Sequence, residues 1–100
     1  MKIIAITACP TGIAHTYMAA ENLELTGKKL GHDIKVETQG AMGIENELKP
    51  SDIQGAEALI IASEVAVSGR DRFLGLRRVL EVPVQMAITH PADIFKRLLT

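Results

Sequence analysis

The sequence is short of residues that several common activities depend on. It has a single cysteine, no tryptophan, and three aromatic side chains, Tyr17, Phe73 and Phe95. One cysteine cannot close an internal disulfide, in keeping with a reducing compartment. It also removes Cys-x-x-Cys redox chemistry, because Gly12 stands where the second thiol would be. So few rings give no stacking platform for bases, and a formal net charge of −1 offers no electrostatic footprint for nucleic acid. Three scattered histidines and one cysteine have no metal-ligand spacing, so neither a metal nor another cofactor is expected. No apolar run approaches the roughly 20 residues that span a bilayer. The first run, Ile3–Ala8, stops at Cys9-Pro10 instead of a small-residue cleavage site, so it reads as a strand and not a signal peptide. The chain reads as cytoplasmic, with no direct membrane insertion.

Apolar volume is plentiful. Hydrophobic residues make up 47% of the 100, enough for one domain over residues 1–100. Lys2–Ala8 is continuously apolar and isoleucine-rich, the pattern of a strand buried on both faces. Ile13, Tyr17, Ala20, Leu23, Gly27 and Leu30 then recur as one helical stripe, with Gly31 as C-cap and Lys28 and Lys29 in the last turn. Ile34–Thr38 alternates as a second strand, so the first two strands form a parallel βαβ unit. Residues 39–43 read as a turn, and 44–48 as a loop or helical turn. Pro50-Ser51-Asp52 starts a short helix anchored by Ile53, and Ala58–Ala62 is a third buried strand. Arg70–Leu76 reads as one or two helical turns with Phe73 and Leu74 inward, and the four nearby arginines as a solvated face. Val79–Val82 is a fourth strand, a helix starts near Pro83, and Pro91 opens a terminal helix. The expected fold is an open α/β sandwich of three layers, four parallel strands with helices on both faces. In such sheets ligands bind beyond the carboxyl ends of the strands. That places Cys9, Gln39-Gly40 and residues 63–68 on one rim.

The informative stretch is Cys9-Pro10-Thr11-Gly12-Ile13-Ala14-His15-Thr16, between the first strand and the first helix. The first N–H groups of a helix lack internal partners and form an anion site. A thiol placed there is pushed toward thiolate, the nucleophilic form. Gly12 permits close backbone approach, Pro10 stiffens the loop, and the N–H groups of Thr11 to His15 can form a nest around three oxygens. The hydroxyls of Thr11 and Thr16 and the ring of His15 add donors. The loop is thus read as holding a phosphoryl group on Cys9. Other readings lack their residues. A nucleotide P-loop needs Gly-Lys-Ser/Thr, and this loop has no such lysine. A cysteine phosphatase resembles Cys-x5-Arg, and the sixth residue after Cys9 is His15. Bland readings stand beside these: Cys9 as a core thiol, His15 as a surface histidine, Thr16 as a backbone cap, Gln39-Gly40 as a plain turn.

The segment Cys9 to Glu21, with Val36-Glu37-Thr38-Gln39-Gly40 and Gly43-Ile44-Glu45-Asn46, resembles the fructose-type IIB domain of the bacterial phosphoenolpyruvate-dependent sugar phosphotransferase system. The resemblance covers roughly residues 1–90. It implies that Cys9 accepts a phosphoryl group from a phosphohistidine on a IIA protein or domain. It further implies transfer of that group to a sugar bound in the membrane-embedded IIC permease. By the same resemblance residues 10–16 hold the phosphate, while Tyr17, Gln39 and Gly40 are rim or partner contacts. Ile13 and Met42 join the docking surface if exposed. One departure stands out. Members carry a pattern like Asp-Ile-Asp-Val after the third strand, where this chain has Glu64-Val65-Ala66-Val67. The end of the chain on a helix at Thr100 reads as a free-standing IIB. A small cysteine phosphatase and a non-catalytic regulatory module remain the alternatives.

Overall fold

A computed structural model describes residues 1–9, 13–40 and 43–99, apart from the side chain of Ile13. The isoleucine-rich first strand, β1 (Lys2–Ala8), lies at the middle of the sheet. It pairs in parallel with β2 (Asp33–Gly40) on one side and β4 (Ala58–Ser63) on the other. Strand β5 (Val79–Val82) continues the parallel sheet beyond β4. With both flanks paired and both faces covered, Ile3, Ile4, Ala5 and Ile6 have no exposed surface, which explains the unbroken apolar run.

Among the described residues the sheet has five strands, the expected four parallel ones and one more. The addition, β3 (Gly43–Glu45), folds back antiparallel on β2, pairing Thr38 with Glu45, Gln39 with Ile44 and Gly40 with Gly43. The order is β3-β2-β1-β4-β5. Three exposed residues carry no hydrophobic pattern, so this segment reads as loop in the sequence. Its strand character comes from pairing with β2, and it opens on Gly43 at φ 89°, where a side chain would be strained.

Helices cover both faces, but unequally. On one face Ile3, Ala5, Ile34, Val36, Ala58 and Ile60 pack under α1 (Ile13–Lys29), α3 (Val84–Thr89) and α4 (Pro91–Leu99). On the other, Ile4, Ile6, Ala8, Leu59 and Ile61 are covered by Leu48, Val67, Phe73 and partly buried Ile53. These come from loops, from the short α2 (Pro50–Gln54), and from a 3₁₀ turn over Arg70–Phe73. Phe73 is buried as expected, whereas Leu74 points to solvent at 85% exposure.

The inward face of α1 is displaced from the expected stripe. Thr16, Ala19, Ala20, Leu23 and Gly27 are buried, while Tyr17 and Leu30 are exposed. Small inward residues let the helix sit close to the sheet. It ends in a Schellman motif: Gly31 at φ 86°, its N–H on the Lys28 carbonyl (3.0 Å) and the His32 N–H on the Gly27 carbonyl (2.9 Å). Close approach peaks at Gly27, where an added Cβ would lie 3.0 Å from Ile34 Cγ2 and 3.2 Å from Phe95 Cζ. Alanine is the better helix former by about 1 kcal/mol. Crowding a filled core costs about 1–3 kcal/mol. Gly27→Ala is therefore expected to destabilise by about 1 kcal/mol, read as a fall in Tm of about 4–8 °C.

Candidate functional site

The chain leaves β1 for α1 and returns to β2 on one side of β1; the next parallel strand, β4, pairs on the other side. Strand order therefore reverses beside β1, and such a reversal opens a crevice at the carboxyl ends. Cys9 follows directly on β1, buried in the core cluster shared with α1 at 9% exposure. The last residue of β1, Ala8, lies opposite Gln39 of β2 and Ser63 of β4. This brings Cys9, Gln39-Gly40 and the start of the loop after β4 to one rim.

Helix α1 begins at Ile13, so the N–H groups of its first turn, which have no partner within the helix, lie at the strand end that carries Cys9. Pro10, Thr11 and Gly12, and likewise Met42, lie outside the described residues. Ala14 and His15 are exposed on the first turn of α1. Thr16 is turned inward and 2% exposed. Its backbone carbonyl accepts the Thr7 hydroxyl (3.1 Å), locking α1 onto β1. Its own Oγ1 is buried and has no hydrogen-bond partner among the described residues. Gly40 is the neighbour there: a Cβ on it would stand 4.0 Å from Thr16 Oγ1. A buried hydroxyl without a partner is costly unless a ligand or water meets it. Tyr17 sits on the outer side of the same helix, its hydroxyl donating to Glu45 Oε1 of β3. That bond, with the carboxylate charge nearby, holds the phenol above its usual pKa.

A second polar group under the rim has no counterpart in the sequence reading. Glu37 is fully buried on β2. Arg72 reaches it with both terminal nitrogens, Nη1 to Oε1 and Nη2 to Oε2, each at 3.0 Å. Gln39 Nε2 donates to Oε2 (2.7 Å) and the Leu48 N–H to Oε1 (2.8 Å). Burial alone would raise the Glu37 pKa; the bonds from Arg72, Gln39 and Leu48 outweigh it and hold the carboxyl below its usual range. Arg72 is thus not part of a solvated face. Glu37 alternates with Ile34 and Val36 along β2 and so lies on the opposite face of the sheet, which is covered as well.

The loop after β4 is fixed at several points. Ser63 Oγ accepts the Val65 N–H (3.0 Å), and Glu64 Oε1 accepts the Val84 N–H at the start of α3 (3.1 Å). Val67 is buried, leaving Val65 and Ala66 at the exposed tip. Glu64 therefore has a structural partner at the position where the family pattern has its first acid.

Comparison with known proteins agrees with this geometry. The family model described as "PTS system, Lactose/Cellobiose specific IIB subunit" matches residues 4–97. The chain is 60% identical, over 97 residues, to the fructose-specific EIIB component of Haloferax volcanii, covering 97% of this chain and 60% of that protein. It is 42% identical to the fructose-like EIIB component 2 of Escherichia coli K12, covering 97% of this chain and 91% of that one. It spans only 21% of the E. coli fructose-like EIIBC component and 15% of the Bacillus subtilis fructose-specific EIIABC component. Among solved structures, a domain of the fructose-specific IIABC component of Borrelia burgdorferi superposes with a TM-score of 0.89 at 44% identity, covering 95% of this chain and 89% of that one. With the family model, the relatives and the solved structures in accord, the chain belongs to the IIB family of the sugar phosphotransferase system, in its fructose-type branch.

Proposed function

We propose that the chain is a phosphocarrier in which Cys9 receives a phosphoryl group from a phosphohistidine of a IIA protein or domain and passes it to a sugar held by a IIC permease. The observation that carries this reading is the placement of Cys9 at the strand-order reversal, at the end of the sheet where α1 starts and where the buried Thr16 hydroxyl has no partner among the described residues. In the first step the imidazole N–P bond breaks and an S–P bond forms, with the Cys9 thiolate supplying the electron pair. In the second, S–P breaks and O–P forms as a sugar hydroxyl attacks and gives up its proton. Residues 10–16 surround the oxygens through backbone N–H groups and the Thr11, His15 and Thr16 side chains, with Tyr17 and Gly40 at the rim. The loop has no lysine or arginine, which suits a relay that must not release phosphate. Fusion of IIB to IIC and IIA in the E. coli and B. subtilis relatives supports those partners, and fructose or a fructose-like sugar as the acceptor. Such a carrier works at the cytoplasmic side of the permease; among the described residues no helix is long and apolar enough to cross a membrane.

The test is phosphorylation from phosphoenolpyruvate through the general phosphotransferase proteins and a fructose-type IIA. Label should appear on the chain, and prior alkylation of Cys9 should prevent it. A chain that takes no label, or label indifferent to alkylation, would overturn the reading.

A further inference from the structure

Arg72 uses its whole guanidinium. Nε donates to the Gly69 carbonyl (2.7 Å). Nη1 donates to Glu37 Oε1 (3.0 Å) and the Leu48 carbonyl (3.2 Å). Nη2 donates to Glu37 Oε2 (3.0 Å) and the Ser68 carbonyl (3.2 Å). All five N–H donors have acceptors, three of them backbone carbonyls in two different loops. Gln39 completes the group. Its Nε2 donates to Glu37 (2.7 Å) and to the Ser68 carbonyl (3.0 Å), while its Oε1 accepts the Ser68 N–H (2.8 Å).

The path of these bonds matters. Gln39 belongs to β2 and Ser68 to the loop after β4, and β1 lies between those two strands. The Gln39–Ser68 pairing therefore crosses the end of β1 beside Ala8, one residue before Cys9. Glu37, invisible to solvent, is the anchor from which both Arg72 and Gln39 are aimed. A buried ion pair is a poor device for stability, since an apolar replacement of similar volume does as well, but it fixes one geometry among several. The geometry fixed here is the height of the 64–69 loop relative to Cys9. That loop presents Val65, 46% exposed, and the strand paired with Gln39 presents Ile44, 47% exposed. Apolar tips flanking a nucleophile suit brief docking of another protein.

We infer that Glu37, Arg72 and Gln39 are positioning residues: they brace the rim loop across the end of β1 so that the phosphohistidine-bearing donor meets a preformed docking surface beside Cys9. The inference rests on the phosphocarrier reading above and deepens it. None of the three residues touches the transferred group; they act through the backbone of Ser68 and Gly69.

The test compares the full chain with Gln39→Met, which keeps length and removes the amide. Transfer is measured from a phosphorylated fructose-type IIA well below the melting temperature of either protein. The KM for the donor should rise about tenfold, as expected when docking is weakened without loss of the reacting groups, with kcat changed by no more than about threefold. Alkylation of Cys9 by iodoacetamide, which needs no docking, should stay within about twofold of wild type. Arg72→Lys, which keeps the charge and loses the fork, should shift KM in the same direction and carries the test if Gln39→Met does not fold. A folded variant with a lowered Tm but wild-type KM would overturn the brace and leave the phosphocarrier reading intact. So would kcat and alkylation falling together at constant KM. A wild-type chain that accepts no phosphoryl group would instead overturn the reading underneath.

Discussion

Cys9→Ser should transfer phosphoryl groups from a IIA donor at least roughly ten-thousandfold more slowly than wild type, the scale seen when an enzyme loses its nucleophile. A serine hydroxyl is a weak nucleophile unless a neighbouring base takes its proton. The residue on which such a base would be sought, His15, is exposed on the first turn of α1. The effect should fall on kcat, because the surfaces that meet the donor are unaltered; a donor KM within about threefold of wild type is expected. The substitution changes one buried atom without changing the side chain's shape, so the melting temperature is the control that separates lost chemistry from lost fold. Residual transfer within tenfold of wild type would remove Cys9 from the relay.

Arg72→Met should show the second largest effect, on stability, and that effect should depend on pH. Removing one member of a buried ion pair strands the other; the cost here is about 3 kcal/mol at pH 7. In the wild type the Glu37 carboxyl is held below its ordinary pKa. Its contribution is therefore present above the ordinary glutamate value and lost as pH falls through the folded-state value. Without the guanidinium, burial is opposed only by Gln39 and the Leu48 N–H, so the folded pKa of Glu37 rises. Protonation then relieves the variant at a pH where the wild type still needs the charge. The stability gap between the two should shrink by about half or more between pH 7 and pH 4 in urea unfolding. Working with the gap removes the shared behaviour of Asp52 and Glu81, whose carboxyls are also held low, by Lys35 and Arg70 first. A gap that does not change with pH would mean that Glu37 is not the group left uncompensated.

What the sequence discloses follows from whether the determinant is local. β1, the Gly31 cap, β5 and the helix opened by Pro91 are each specified by a few adjacent residues, and each lies where the pattern puts it. β3 is specified by pairing with β2 and by one glycine at positive φ, so its three exposed residues carry no apolar alternation. The Glu37–Arg72 pair joins positions 35 apart in sequence. No window sees both, and alternation suggests solvent for Glu37 because it says nothing about a second covering layer. The same limit misplaces Tyr17 and Leu74, whose helical spacing is right but whose burial depends on what packs above them. At the site, the position of Cys9 was readable because strand, thiol and helix start are contiguous. The brace beneath it was not, because it is assembled from β2, the loop before α2 and the 3₁₀ turn.

The unequal sheet also has a bearing on how the molecule behaves among its own copies. Its two outer strands are its shortest, β3 with three residues and β5 with four. The long isoleucine-rich strand lies between partners on both sides. Backbone groups on an open margin are templates for a neighbouring chain, and brevity is one of the ways proteins blunt them. At the β3 margin the run is capped by Gly43, and at the β5 margin Glu81 is tied to Arg70 (2.7 Å) just outside the strand. The most adhesive segment of the sequence is thereby kept from recruiting a strand of another copy, which guards the molecule against edge-to-edge polymerisation.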